Sequence, residues 1–203
     1  MDERGREVPG VFLPGQELWD PRDQRLTMTF DPGRIKRGLT SNEAMGAPIT
    51  EGKRYRLVID KEWPNARGAA LVEGFSKAIR GGPQDRHPPD PAQWRVTAAG
   101  AGTRGALTVE FPKPMNFPLL QRMIEVWMGR GRVEGSVEVD RQETRWRFTP
   151  KEPWKIGDYR LVVNTGIEDL AGNHVGQAFD IDVFEKVTER IASSSVTLPF
   201  RVR

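Results

Sequence analysis

Few residues of this chain combine the type and the spacing that catalysis or metal binding requires. The two histidines, His87 and His174, fall in a proline-rich segment and in a turn-like segment, and neither has a partner at the spacing of a metal site. The absence of cysteine excludes disulfides, thiolate nucleophiles and cysteine-based zinc sites. No Gly-x-Ser-x-Gly nucleophile elbow occurs either. The sequence therefore predicts no catalytic residue, no metal site and no cofactor, and we expect no enzymatic activity.

One acidic segment carries side chains that a hard cation could use. Glu168, Asp169 and Asn173 fall close together, and Asp180 and Asp182 follow. Carboxylate and carbonyl oxygens bind calcium, but the Asp-x-Asp-x-Asp spacing of an EF-hand loop is missing. Asp, Gly and Asn at this spacing are also the residues of a tight turn. A turn is the simpler interpretation, and calcium binding is the alternative.

The tryptophans are the best candidates for a binding surface. If Ile124 and Val126 face a core, the alternation of a strand points Trp127 outward. Trp19 and Trp63 lie in loop-like contexts. An aromatic ring with a polar edge can stack on a sugar, and it can equally cover a contact between proteins or domains. Trp127, Trp63 and Trp19 are therefore the candidate binding residues, with an interface favoured over a sugar at Trp127.

The charge pattern excludes two further classes of function. The 31 basic residues are interspersed with 28 acidic ones, which gives a net charge of +3, and no basic run could track a phosphate backbone. We therefore expect no nucleic-acid partner. The chain begins with charged residues and no long apolar run follows, which predicts neither a signal peptide nor direct membrane insertion. It is then either cytoplasmic or a piece of an exported protein without its signal.

An internal repeat indicates how the candidate residues are positioned. Residues 55–59 align without a gap with residues 159–163, and the same offset relates Gly68 to Gly172 and Phe75 to Phe179. Period-2 alternation on both sides of a Gly-containing turn predicts a β-hairpin in each copy, over residues 55–79 and 159–183. One domain has been duplicated.

The two tyrosines of the chain begin the aligned segments. Tyr159 follows Gly157 and Asp158 at the start of a strand, which suits a tyrosine corner whose hydroxyl bonds to backbone upstream. We expect Tyr55 to repeat this arrangement.

Further alternating segments bring the second half to about seven strands, which fits an antiparallel sandwich better than an α/β fold. They cover residues 94–97, 107–111, 124–127, 133–139 and 145–148. In the first half, fewer residues separate the matching strands than in the second half, so the first half has fewer strands. The predicted fold class is all-β, with two tandem immunoglobulin-like antiparallel β-sandwich domains, of which the first is abbreviated.

The domain boundary is predicted in the Gly- and Pro-rich residues 81–91. This gives an abbreviated domain over residues 1–86, a complete domain over residues 87–187 and a C-terminal tail over residues 188–203. The tail has the alternation of one more strand, which we expect to complete the first domain or to join another chain. Its alternating residues are Val196, Leu198, Phe200 and Val202.

Three segments together resemble the bacterial Ig-like domains of the S-layer-protein type. They are Thr-Arg-Trp-Arg-Phe-Thr-Pro at 144–150, Gly-Asp-Tyr-Arg-Leu-Val-Val at 157–163 and Asp-Leu-Ala-Gly-Asn at 169–173. The resemblance covers residues 87–185, whereas residues 7–80 share only the duplicated segment. In that half, Asn-Ala-Arg-Gly at 65–68 replaces the Asp-Leu-Ala-Gly form.

The resemblance implies a non-catalytic spacer or adhesion module of an exported envelope protein, because the matched residues are structural. It implies a protein partner or a cell-envelope component, and a periplasmic, cell-surface or extracellular location, with the cytoplasm as the alternative. A carbohydrate-binding module with a polysaccharide ligand and an accessory domain of a larger exported enzyme are the alternative functions.

Overall fold

The structure is a computed structural model that describes residues 1–20, 24–35, 39–177 and 194–203, and it divides into two compact units that meet at Asp85 and Arg86 in the sequence. Within these residues, short helices lie at Pro32–Ile35 (α1), Thr40–Met45 (α2) and Phe117–Leu120 (α3), and a 3-10 turn lies at Pro91–Gln93. The rest of the regular structure is antiparallel β, as expected. The strands are β1 (Phe12–Trp19), β2 (Leu26–Phe30), β3 (Arg54–Ile59), β4 (Phe75–Arg80), β5 (Arg95–Thr97), β6 (Leu107–Glu110), β7 (Ile124–Met128), β8 (Gly131–Arg132), β9 (Gly135–Asp140), β10 (Arg145–Pro150), β11 (Gly157–Asn164) and β12 (Ser195–Val202).

The described residues of the first unit form two separate hairpins. β1 pairs with β2, and β3 pairs with β4 in a register that sets Tyr55 opposite Ile79 and Ile59 opposite Phe75. The hairpin predicted over residues 55–79 is therefore confirmed. Gly68, in the connection between its strands, has a φ of 79°, which only glycine adopts without strain.

Polar contacts hold the first unit where apolar packing is sparse. Phe75 is 50% exposed and Val58 is 44% exposed, while the charged side chain of Arg34 is only 3% exposed. The Arg34 guanidinium donates to the carbonyl oxygens of Gly46 and Pro9 and so ties α1 to the segments around it.

In the described part of the second unit, two four-stranded antiparallel sheets enclose an apolar core. Sheet 1 has the order β5-β6-β10-β9, and sheet 2 has the order β12-β11-β7-β8. Alternation along each strand turns Trp146 and Phe148 of β10 and Leu161 and Val163 of β11 inward, into one apolar cluster. The indole of the fully buried Trp146 is satisfied by donating to the carbonyl oxygen of Leu120.

The predicted strand over residues 133–139 is wrong in its bounds, because the chain crosses there from sheet 2 to sheet 1. β8 ends at Arg132, the Val133 N–H donates to the Val126 carbonyl oxygen, and β9 begins at Gly135. A Cβ atom on Gly135 would lie 2.5 Å from Cζ of Phe148, so the crossing point has room for glycine alone.

The expected destination of the C-terminal strand is also wrong, since β12 belongs to the second unit. It pairs with β11 along its whole length, with Phe200 opposite Tyr159 and Val202 fully buried. The other edge of β11 pairs with β7. The hairpin predicted over residues 159–183 would pair β11 with residues 179–183. Residues 178–193, which include that segment, lie outside the described residues.

Both tyrosine corners are confirmed. The Tyr159 hydroxyl donates to the Lys155 carbonyl oxygen at 3.0 Å and accepts from the Lys155 N–H at 3.1 Å. The Tyr55 hydroxyl accepts from the Thr50 N–H at 2.8 Å. Tyr159 also stacks on Phe200, with ring centroids 5.4 Å apart, and therefore fixes β12 at this end of the sheet.

None of the helices in the described part of the chain has the length and apolar character needed to cross a membrane.

Candidate functional site

The acidic turn at Asp169 uses its oxygens within the protein. Oδ1 of the buried Asp169 accepts from the backbone N–H groups of Ala171 and Asn173 at 2.8 and 3.0 Å, and Oδ2 accepts from the Asn173 side chain at 2.9 Å. The Lys113 ammonium lies 2.5 Å from Oδ2 and also donates to the His87 carbonyl oxygen. A lysine therefore occupies the place a cation would take, and the turn is a structural element.

Glu168 is the other residue of the predicted acidic cluster that the structure describes. Glu168 lies 3.5 Å from Nδ1 of His174, on the turn itself. Asp180 and Asp182 lie outside the described residues. Within the described ranges, no group of three or more His, Asp or Glu side chains is arranged to hold a metal ion.

Trp127 lies on the outer face of sheet 2, as the alternation of β7 predicts. The register of the sheet places Pro199, Arg160, Trp127 and Arg132 side by side across its four strands. We call these four residues the Trp127 row.

The Trp127 ring is fixed by its neighbours on this face. Its indole N–H donates to Oε2 of Glu125 at 3.0 Å, and the same carboxylate lies 3.3 Å from the Arg132 guanidinium. Cζ of Arg160 lies 5.6 Å from the ring centroid, while Nη1 of Arg160 donates to the Gly129 carbonyl oxygen. The row is therefore an amphipathic patch with a half-buried aromatic ring held between two cations.

Trp19 and Trp63 belong to the first unit, and both are half-buried. Trp19 ends β1 and pairs with Leu26. Trp63 lines a cavity of about 570 Å³ together with Phe12, Met28 and Ile59. Its indole nitrogen is buried and has no hydrogen-bond partner among the described residues.

A groove of about 790 Å³ opens in the second unit where β8 and β9 face each other from opposite sheets. Apolar residues of the core, among them Val126, Val137 and Phe148, line it together with charged side chains. Sequence reasoning missed this groove because a strand pattern does not show where the chain crosses between sheets. The break in alternation at Gly135 was the available signal.

The outer face of sheet 1 carries a row of alternating charges, Arg95, Glu110, Arg145 and Asp140, set side by side across its four strands. The Arg145 guanidinium donates to both oxygens of Asp140, at 2.5 and 2.6 Å, and these hydrogen bonds lower the pKa of the Asp140 carboxyl below its ordinary value. The two outer faces of the unit therefore differ, since sheet 1 is an ion-paired surface and sheet 2 presents a tryptophan.

Comparison with known proteins yields a partial likeness to a solved structure. No family model and no curated protein matches this chain. Among solved structures, it is similar to the crystal structure of the S-layer protein rSbsC(31-844), with a TM-score of 0.35 and 20% sequence identity. The match covers 45% of this chain and 13% of that chain.

Proposed function

We propose that this chain is a non-catalytic immunoglobulin-like module of a bacterial cell-envelope or secreted protein, where it acts as a spacer and contacts another protein. The observation that carries the proposal is the strand order of the second unit. Counted along the chain, sheet 1 contains its first, second, sixth and fifth strands, and sheet 2 its eighth, seventh, third and fourth. An immunoglobulin sandwich pairs strands A, B, E and D in one sheet and G, F and C, with an added C′, in the other.

Two further features support an immunoglobulin-like module. Tyr159 forms its corner at the start of β11, the strand that corresponds to strand F of that fold. The Tyr55 hairpin repeats this local arrangement in the first unit, which supports an abbreviated second copy.

A structural role accounts for the polar groups buried in the second unit. Asp169, Asn173 and Lys113 satisfy one another and join the turn after β11 to the start of the unit. Such a network stabilises a fold and leaves none of these carboxylate or amide groups directed at a ligand.

The Trp127 row supports a contact with protein. Fixed aromatic and arginine side chains are enriched in the centres of protein interfaces. A sugar ring would compete with Arg160 for the face of the indole that the guanidinium covers. The exported location is proposed from the resemblance of residues 144–173 to envelope Ig-like domains.

The experiment is sedimentation of the full chain with cell envelopes that retain their proteins and with envelopes stripped by protease. We expect binding to the former only, and Trp127→Ala to weaken it about tenfold or more, as for an interface anchor. Thr108→Ala, on the outer face of sheet 1, is the control and should bind normally.

Equal binding of wild type and Trp127→Ala would contradict the proposed interface. Equal binding to stripped envelopes, together with a shift of tryptophan fluorescence on adding purified wall polysaccharide, would favour the carbohydrate-binding alternative and overturn the protein partner.

A further inference from the structure

The groove between β8 and β9 has an unpaired strand along one side. Within the described residues, β9 is the edge of sheet 1 and pairs with β10 alone. Every second residue of an edge strand directs its N–H and C=O groups away from the sheet, where another chain can pair with them. The groove therefore offers backbone hydrogen bonds beside its apolar lining.

Of the positively charged side chains that line the groove, two have no carboxylate partner among the described residues. Arg132 pairs with Glu125 at 3.3 Å, and Lys151 pairs with Glu134 at 3.3 Å. Arg104 contacts only the carbonyl oxygen of Pro150, at 3.2 Å through Nε, and neither it nor the exposed Arg122 forms an ion pair within the described part of the chain.

We infer that this groove binds an extended segment of a partner protein, which pairs with β9 and places carboxylate side chains against Arg104 and Arg122. The inference deepens the proposed function and rests on it, because it names the chemistry of the protein partner. Charge complementarity selects an acidic segment, and the alternation of a strand directs every second side chain toward the apolar residues of the groove.

A peptide fits these features better than an anionic polysaccharide. Val137, which is partly exposed, offers an apolar contact to side chains such as valine or leucine, with Val126 and Phe148 of the core behind it. A polyanion would use the two arginines but would leave both the apolar residues and the backbone edge of β9 without a partner.

The test starts by selecting binders of the full chain from a phage library of random linear peptides. We expect the selected peptides to carry Asp or Glu among alternating apolar residues. In fluorescence-anisotropy titrations with synthetic copies, the double variant Arg104→Glu/Arg122→Glu should bind about tenfold or more weakly, because opposite charges become like charges. The same library selected on the double variant should yield basic peptides.

Arg130→Glu is the matched control, since Arg130 is an exposed arginine in the turn between β7 and β8 and does not line the groove. It should bind the peptides as the wild type does. N-methylation of alternate peptide bonds should abolish binding in one register only, because one set of N–H groups faces β9.

Three results would overturn the inference: no selected peptide, selected peptides without carboxylates, or equal binding by the wild type and the double variant. A sulfated polysaccharide that binds as tightly as the peptides and depends on the same arginines would also overturn it, in favour of a polyanion ligand. Trp127-dependent envelope binding is measured separately, so these failures would leave the proposed function standing.

Discussion

Lys113 balances the buried charge of Asp169, whose side chain is 1% exposed. Replacing Lys113 with Met should lower the free energy of unfolding by about 3 kcal/mol, because the carboxylate would lose its nearby counter-charge. Chemical denaturation measures this change. Lys151→Met is the control, because the exposed pair of Lys151 with Glu134 contributes at most about 1 kcal/mol.

The response of the unfolding temperature to calcium distinguishes a turn held by Lys113 from a turn that binds calcium. Calcium should leave the unfolding temperature of the wild type unchanged, because Lys113 and the backbone donors occupy the Asp169 oxygens. An increase in that temperature on adding calcium, larger in Lys113→Met because the competing ammonium is gone, would mean that the turn binds the ion.

Asp140 gives the stability of the second unit a pH dependence. Its pKa is lower in the folded protein than the ordinary 3.8, because Arg145 donates to it. Its stabilising contribution is therefore complete above that ordinary value and is lost as the pH falls through the lower folded value. Asp140→Asn should cost about 1 kcal/mol or less near neutral pH, since the pair is partly exposed.

The measurement is the free energy of unfolding as a function of pH for the wild type and Asp140→Asn. The difference between the two should shrink in acid. A constant difference across this pH range would show that the carboxylate charge does not contribute.

At the scale of the element, β12 depends on its apolar side chains. Phe200→Ala should lower the free energy of unfolding by about 3 kcal/mol, because the ring packs on Tyr159 and Trp154. Arg201→Ala, on the adjacent outward position, should cost less than about 1 kcal/mol, since its pair with Asp158 is exposed. Similar losses for both variants would mean that β12 does not pack on the core.

Gly135 lies where the chain crosses from one sheet to the other, and the space there is too small for a larger side chain. Gly135→Ala should destabilise the protein by about 1–3 kcal/mol, because its methyl group would collide with Phe148 and Thr149. Gly131→Ala is the control, since a Cβ atom there meets only the Met128 carbonyl oxygen at 3.6 Å. Thermal unfolding of both variants measures the difference.

The sequence predicted the strands themselves more completely than it predicted which strands and side chains lie next to one another. Alternation correctly predicted that Trp127 lies on an outer face and that Leu198 and Phe200 belong to a strand. It could not place Arg160 over the Trp127 ring or assign β12 to β11, because period-2 alternation fixes which face a side chain occupies and not which strand lies beside it. The groove depends on that same missing information.

At the scale of the whole molecule, the apolar core lies in the second unit. In the described part of the first unit, two-stranded hairpins expose residues such as Phe75, and isolated hairpins are marginally stable in water. Amide hydrogen exchange of the full chain should therefore be faster in β3 and β4 than in β10 and β11. Equal protection of the two sets would mean that one cooperative unit includes both.

The strand order that carries the proposed function is tested most directly by cross-linking, because the chain has no native cysteine. Val162 of β11 lies opposite Thr197 of β12, whereas the repeat of the first unit would place it opposite Asp180. We expect mild oxidation to close a disulfide in Val162→Cys/Thr197→Cys and not in Val162→Cys/Asp180→Cys. The reverse result would contradict it, because β11 would then pair with a different strand and the C-terminal strand would not complete the sandwich.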